Sequence, residues 1–383
     1  MRIAQVAPLF EAVPPKLYGG TERVVSYLTE ELVRQGHEVT LFASGDSVTA
    51  AELVPICPQA LRLDAASVDR MAPHFPLLEQ VARAAHRFDV IHYHIDYLHY
   101  PLSRRLAVPH VTTLHGRLDL PELQCVYDEY HDMPVVSISD SQRRPLPQAD
   151  WRATVHHGLP LDLHRPHEGP GDYLAFLGRI SPEKRVDRAV EIARRSGLPL
   201  KVAAKIDAID RDYYREHAAP LFRDPLVEYV GEIGERDKGD FLGRARAVLF
   251  PVDWPEPFGL VLIEAMACGT PVIAWPCGSV PEVIEDGVTG FIVDDLDAAV
   301  RAVDRVAGLD RRRCREVFER RFSAARMARD YLAVYRQVCE SAQRLDQLRD
   351  WMRPPAAGKN GAPAGGRPPT GGRPVRTAAG NGT

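Results

Sequence analysis

Two glutamates stand eight residues apart, Glu256 and Glu264, in the stretch "EPFGLVLIEAMACGTPVIAW" (256–275). A pair of carboxylates that flanks one glycosidic bond needs a separation of about 5–9.5 Å. On a single helix, a rise of about 1.5 Å per residue would hold these two roughly 12 Å apart, so they do not work as an acid/base pair on one bond. A different arrangement suits the pattern. Glu256 lies in a loop and Pro257 enters the first helical turn. The amides of Phe258, Gly259 and Leu260 are then free at a helix N-terminus, where anions bind. Glu264 follows about one turn later. A carboxylate, an amide cluster and a second carboxylate in that order fit an extended ligand of sugar, diphosphate and ribose, because ionised carboxylates accept hydrogen bonds from vicinal hydroxyls. A helix cap at Glu256 and an exposed ion pair at Glu264 would give the same spacing.

The elements that must position these groups are legible as alternating β and α patterns. "RIAQVA" (2–7) reads as a strand, followed by a helix over 21–36 with Val24, Val25, Leu28 and Leu32 on one face and Gly36 at its end. Further strands are expected at 37–43, 88–94, 109–115 and 134–139. After the Pro/Gly/charged connector "HRPHEGPGD" (164–172) the pattern restarts, with strands at 173–179, 200–206, 227–232, 247–252 and 271–275. This is the signature of doubly wound parallel sheets, in an N-terminal domain over 1–165 and a C-terminal domain over 166–321. Ligands of such sheets bind at the C-terminal ends of the strands.

Composition narrows the class. The 383 residues are 45% hydrophobic and 26% charged, ordinary for a globular chain, and the net charge of −4 gives no support for nucleic-acid binding. Residues 353–383 carry Arg353, Lys359, Arg367, Arg373 and Arg376 and no acid, so those five positive charges leave −9 on the rest. That tail is Pro/Gly/Ala-rich and is expected to be disordered, either plainly solvated or giving a weak peripheral hold on an anionic membrane. Six scattered cysteines without a C-x-x-C pair argue for reduced thiols. The N-terminal apolar stretch is too short for a signal peptide, and no run is long enough to span a membrane. A cytoplasmic location is expected, including the cytoplasmic face of the membrane. "HYHIDYLHY" (92–100) places His92 and His94 on one strand face, but no acid or cysteine joins them and His99 at ligand spacing. A lining of the cleft, with Asp96, is expected there instead of a metal. No G-x-G-x-x-G follows a strand, which disfavours a dehydrogenase.

The 256–275 stretch closely resembles the E-x7-E element of retaining glycosyltransferases of family 4, which have the GT-B fold. "GSVPEVIEDGVTGFIV" (278–293) resembles the same family's G-G-x-P-E-x-I-x-x-G-x-x-G segment. "FLGRISPEKRVDRAV" (176–190) resembles its G-R-x-x-x-E-K-G-x-D segment, "YGGTERVV" (18–25) its glycine pair, and "TLHG" (113–116) its T-x-H-G element. The motifs come in family order over roughly residues 1–340. The resemblance implies a GT-B α/β fold of two Rossmann-like, doubly wound parallel-sheet domains facing a cleft. The stretch 322–345 would cross back to complete the N-terminal domain.

The resemblance also implies roles. Glu264 would hold the ribose hydroxyls and Glu256 those of the donor sugar. Arg179 and Lys184 would clamp the diphosphate, whose developing charge needs preorganised cations and amides. Gly19 and Gly20 would let backbone approach a phosphate or acceptor, and His115 would face the donor sugar near its anomeric centre. The implied reaction is retaining hexosyl transfer from a UDP- or GDP-sugar, with no cofactor and no metal. The acceptor is an unidentified carbohydrate, lipid-linked compound or small molecule. Another nucleotide-sugar enzyme such as an epimerase, and a non-catalytic nucleotide-sugar-binding protein, are the alternatives. Three positions depart from the family pattern. His157 replaces the asparagine of an Asn-Gly, and Arg185 stands where a glycine often follows the clamp lysine. Ser279 replaces the second glycine before x-Pro-Glu and is expected to narrow the space near the donor sugar.

Overall fold

The computed structural model describes residues 1–352 apart from Leu63 and Ala65. All ten expected strands form. They build two sheets in which every pairing is parallel. The first contains β1 (Arg2–Val6), β2 (Glu38–Ala43), β3 (Glu52–Pro55), β4 (Val90–Tyr93), β5 (His110–Thr113), β6 (Pro134–Ser137) and β7 (Asp150–Thr154), in the order β3-β2-β1-β4-β5-β6-β7. The second contains β8 (Tyr173–Arg179), β9 (Leu200–Lys205), β10 (Val227–Gly231), β11 (Ala245–Phe250), β12 (Val272–Ala274) and β13 (Gly290–Ile292), in the order β10-β9-β8-β11-β12-β13. In each, the strand order reverses beside the first strand, which opens a crevice at the carboxyl ends between β1 and β4 and between β8 and β11.

The helices that matter for the cleft are α1 (Gly20–Arg34), α2 (Val186–Ser196), α3 (Glu235–Gly243), α4 (Leu260–Ala267), α5 (Arg311–Arg321) and α6 (Ala324–Met352). α1 buries Val24, Val25, Leu28 and Leu32. At its end the amides of Gly36 and His37 donate to the carbonyls of Val33 (2.9 Å) and Leu32 (3.1 Å), the paired bonds that close a helix. The central strands β1, β2 and β4 are buried on both faces, which covering by helices requires.

Residues 1–342 pack as one unit that contains both sheets. The chain passes between the sheets twice, and the two passages bond to each other: the Leu159 amide donates to the Phe322 carbonyl (2.9 Å) and the Ala324 amide to the Leu159 carbonyl (2.8 Å). α6 then returns to the first sheet, as expected. Tyr335, fully buried, accepts from Gln5 Nε2 on β1 (3.0 Å) and bonds His92 Nδ1 on β4 (2.7 Å), and Tyr331 bonds Thr113 on β5 (2.9 Å). The six cysteines are unpaired. Among the described residues no helix is long and apolar enough to cross a membrane. The tail 353–383 lies outside the described residues.

The Tyr335 hydroxyl is the partner of two buried polar groups. Tyr335→Phe is expected to lower stability by about 1–3 kcal/mol in urea unfolding, the effect of leaving buried groups unpaired. An unchanged midpoint would show that α6 is not anchored there.

Candidate functional site

A cavity of about 480 Å³ opens at the carboxyl ends of both sheets. All ten residues singled out in the sequence line it: Gly19, Gly20, His115, Arg179, Lys184, Glu256, Phe258, Gly259, Leu260 and Glu264. The first sheet supplies Gly19 and Gly20, at the start of α1, and His115, two residues beyond β5. The second supplies Arg179 at the end of β8, Lys184 in the turn before α2, and the 256–264 element after β11.

Glu256 is held in place by its neighbours. Its amide donates to the Trp254 carbonyl (2.7 Å), and its carbonyl accepts from the Ser279 amide (3.0 Å). Gly278 packs against it with φ near +61°, and a Cβ there would lie 2.2 Å from the Glu256 carbonyl oxygen. Only glycine fits this position. Ser279, by contrast, does not narrow the cavity. It is fully buried and its hydroxyl donates to the Phe258 carbonyl (2.7 Å), so it braces the loop from behind. The Glu256 carboxylate accepts from Trp254 Nε1 (2.9 Å) and from the Lys184 ammonium. That ammonium also sits 5.1 Å from the Trp254 ring centre, a cation–π position.

The helix start differs from expectation. α4 begins at Leu260 with Gly259 as its N-cap, so Pro257 stays in the preceding loop. The amides of Phe258, Gly259 and Leu260 nevertheless donate to no protein group among the described residues. Arg185 adopts φ near +54° and pairs with Asp187 and Asp253, outside the cavity. A left-handed backbone explains why glycine suits this position.

The cations of the cleft are matched by acids. The Arg179 guanidinium lies beside Glu183, 3.3 Å from Asp210 and 3.9 Å from Asp207. Glu264, 2% exposed, accepts from Lys238 on α3 (2.7 Å), and Lys238 lies 3.4 Å from Glu235. Glu235 pairs across the cleft with Arg23 of α1 and lies 3.3 Å from His164. Burial works against charge on Glu235, but His164, Lys238 and Arg23 hold its carboxyl down to about 2. His164, Glu235 and Glu264 offer three ligand atoms within 4.8 Å of one another, and two protein cations already neutralise this group. Glu22, in the first turn of α1, also lines the cavity, and burial pushes its carboxyl up to about 7.

A relay of hydrogen bonds fixes His115. Gln5 Oε1 accepts from His94 Nε2 (2.8 Å), which leaves His94 Nδ1 to accept from His115 Nε2 (2.9 Å). Burial holds the His115 imidazole down to about 3 and that of His94 well below its ordinary value, so both are neutral. Neutral His115 therefore keeps Nδ1 as a bare acceptor, and that atom is buried with no partner among the described residues. His157 stacks on His115, with ring centres 5.4 Å apart and 19° between planes.

The "HYHIDYLHY" residues do not line the cleft, contrary to expectation. His92 and His94 are engaged beneath it, with Thr113, Tyr335, Gln5 and His115. His99 stacks on Tyr93 and bonds Ser103 and Thr112. Asp96 is likewise absent from the cavity wall. Sequence reasoning missed Glu22, Arg23, Glu235, Lys238 and Trp254. Glu22 and Arg23 directly follow the glycine pair, and Trp254 immediately precedes the Pro-Glu, so their proximity was a usable signal. Glu235 and Lys238 carry no motif.

Residues 18–153 match Glycosyltransferase Family 4, and residues 165–317 match Glycosyl transferases group 1. The chain is 29% identical to the D-inositol 3-phosphate glycosyltransferase of Mycolicibacterium smegmatis over 339 residues, covering 73% of this chain and 76% of the relative. It is 29% identical to the phosphatidyl-myo-inositol mannosyltransferase of the same organism over 343 residues, covering 79% and 84%. Anabaena Alr3699/HepE, solved in complex with UDP and glucose, superposes with a TM-score of 0.66 at 18% identity, covering 90% of this chain and all of that one, a likeness of fold. Two matched segments that together span both sheets, with relatives along most of the chain, place it in glycosyltransferase family 4, as a hexosyl-class transferase on the GT-B fold.

Proposed function

We propose that the chain moves a hexosyl group from a nucleoside-diphosphate sugar, UDP- or GDP-linked, to a hydroxyl acceptor with retention at the anomeric carbon. The observation that carries this reading is the convergence of all ten sequence-derived residues on one cavity. In it, Glu264 holds the ribose hydroxyls and Glu256 those of the sugar. Arg179, Lys184 and the amides of 258–260 receive the diphosphate, and the glycine pair admits it at the start of α1. His115 Nδ1 accepts from a sugar hydroxyl. The second sheet with its helices (166–321) takes the donor. The first (1–165, completed by about 322–345) takes the acceptor, a carbohydrate, lipid-linked compound or small molecule. The inositol compounds named for the two relatives belong to that range.

The chemistry is an attack by the acceptor hydroxyl on the face the diphosphate leaves. The transition state is oxocarbenium-like, and the leaving phosphate takes the acceptor's proton. The protein's part is electrostatic. As the anomeric carbon–oxygen bond breaks, negative charge grows on the diphosphate, and cations already in place stabilise it. Exclusion of water limits donor hydrolysis. The reading needs no metal, and it places the protein in the cytoplasm or at the cytoplasmic membrane face.

Glu264→Ala is expected to weaken nucleoside-diphosphate binding with the fold intact, as read by calorimetry; unchanged affinity would remove the ribose assignment. Arg179→Ala with Lys184→Ala should lower turnover by at least about 10²-fold, the precedent for one lost oxyanion donor, and near-wild-type rates would sink the clamp. Glu22 predicts a pH dependence. Its folded value of about 7 lies above the ordinary 4.5. Its stabilising contribution is therefore complete below about 4.5 and is lost as pH rises through 7, because the unfolded chain ionises first. Glu22→Gln should flatten the fall in unfolding free energy across that window. Parallel pH profiles of variant and wild type would contradict the assignment.

A further inference from the structure

We propose that His157 and His115 form an uncharged imidazole pair that holds hydroxyl groups of the transferred hexose, and that His157 sets which hexose epimer is accepted. The inference rests on the donor-site reading above. His157 comes from the segment joining the two sheets, is 4% exposed and lines the same cavity. Its ring stacks on His115 and meets Phe258 edge-on at 4.8 Å and 65°. It thus touches the histidine that follows β5 of the first sheet and the residue just before the N-cap of α4.

The ring is fixed from behind. The His157 carbonyl accepts from Arg326 Nη2 of α6 (2.9 Å). The next residue, Gly158, lies so close to the second chain passage that a Cβ would be 2.4 Å from the Ser323 carbonyl oxygen. The backbone at 157 therefore cannot slide. Yet Nδ1 of His157 is buried with no partner among the described residues, and so is Nδ1 of the stacked His115. Buried polar atoms are almost always paired, and two unpaired ring nitrogens in one cavity wall point to a ligand that supplies the missing groups.

The chemistry of the pair selects the part of the ligand. Burial keeps both rings from taking a proton. Neutral imidazoles offer no counter-charge to a phosphate, and Arg179 and Lys184 already stand for that. Each neutral ring presents one donor and one acceptor nitrogen, which is what a hydroxyl engages. His115 Nε2–H is committed to His94, leaving its Nδ1 to accept. His157 has no equivalent relay and adds the second contact. An asparagine, usual in the resembling sequences, would place an amide atom at the reach of Nδ1 but nothing at the reach of Nε2, and so would present a different set of contacts to the sugar hydroxyls. Sites that hydrogen-bond a substrate hydroxyl discriminate strongly against analogues that misplace it.

The test compares wild type with His157→Asn and His157→Gln. The ligands are UDP, GDP, and their glucose, galactose and mannose derivatives, titrated by calorimetry with melting temperatures as the folding control. The expected result is nucleoside-diphosphate affinity within twofold of wild type in both variants, with the ratio of affinities between epimeric sugar nucleotides shifted by about tenfold or more in at least one. An epimer ratio unchanged within twofold in both folded variants overturns the inference alone. A wild type that binds none of these nucleotides defeats the donor-site reading and this inference with it.

Discussion

The cations that line this cleft are held by carboxylates, Arg23, Arg117 and Lys205 by Glu235, Asp119 and Asp207. Lys184 is held by Glu256, Lys238 by Glu264 and Glu235, and Arg179 by Glu183, Asp207 and Asp210. Buried or half-buried charges need partners, so the acids keep the cations in place and aimed. Under the proposed reading, a nucleotide sugar would exchange partners: its phosphates would replace carboxylates on the cations, and its hydroxyls would engage the carboxylates released. Positioning of this kind lowers the reorganisation needed at the moment of reaction.

The same constraint explains how the two sheets stay registered. Arg23 of α1 reaches Glu235 of α3, and the Tyr18 amide donates to Glu232 (2.9 Å). Glu282, from the x-Pro-Glu segment, accepts from the amides of Asp140 and Ser141 at 2.7 Å each. These polar ties cross the cleft from both sides. The apolar and hydroxyl anchoring by α6 lies beneath it, where Tyr335 and Gln5 also set the ring of His94 and through it that of His115. The crossing helix thus has a part in the site without touching it.

The fold was largely legible because both sheets are buried on two faces and their central strands read as β-branched runs between amphipathic helices. The strands that escaped notice are short or at edges. β3 is four residues ending in Pro55, β7 is only half-buried along its length, and β13 is three residues beginning at Gly290. The site was legible where backbone geometry demands a residue type, as at Gly278, or where charge must meet phosphate, as at Arg179 and Lys184. It was not legible where a side chain acts through a distant partner. Nothing near "HYH" in sequence announces that the ring of His92 bonds Tyr335, more than two hundred residues away. The same blindness placed Ser279 in the cavity wall, because a hydroxyl that turns inward to the Phe258 carbonyl looks the same in sequence as one that faces a ligand.

The most direct test of the account is thermal unfolding of the full chain with UDP, GDP, ADP and TDP in turn. A nucleotide present at about 100 times its dissociation constant adds roughly 2.7 kcal/mol to the native state, which is several degrees for a protein of this size. The account predicts such a shift with UDP or GDP, abolished by Glu264→Ala. No shift with any of the four would contradict a nucleoside-diphosphate site in this cleft.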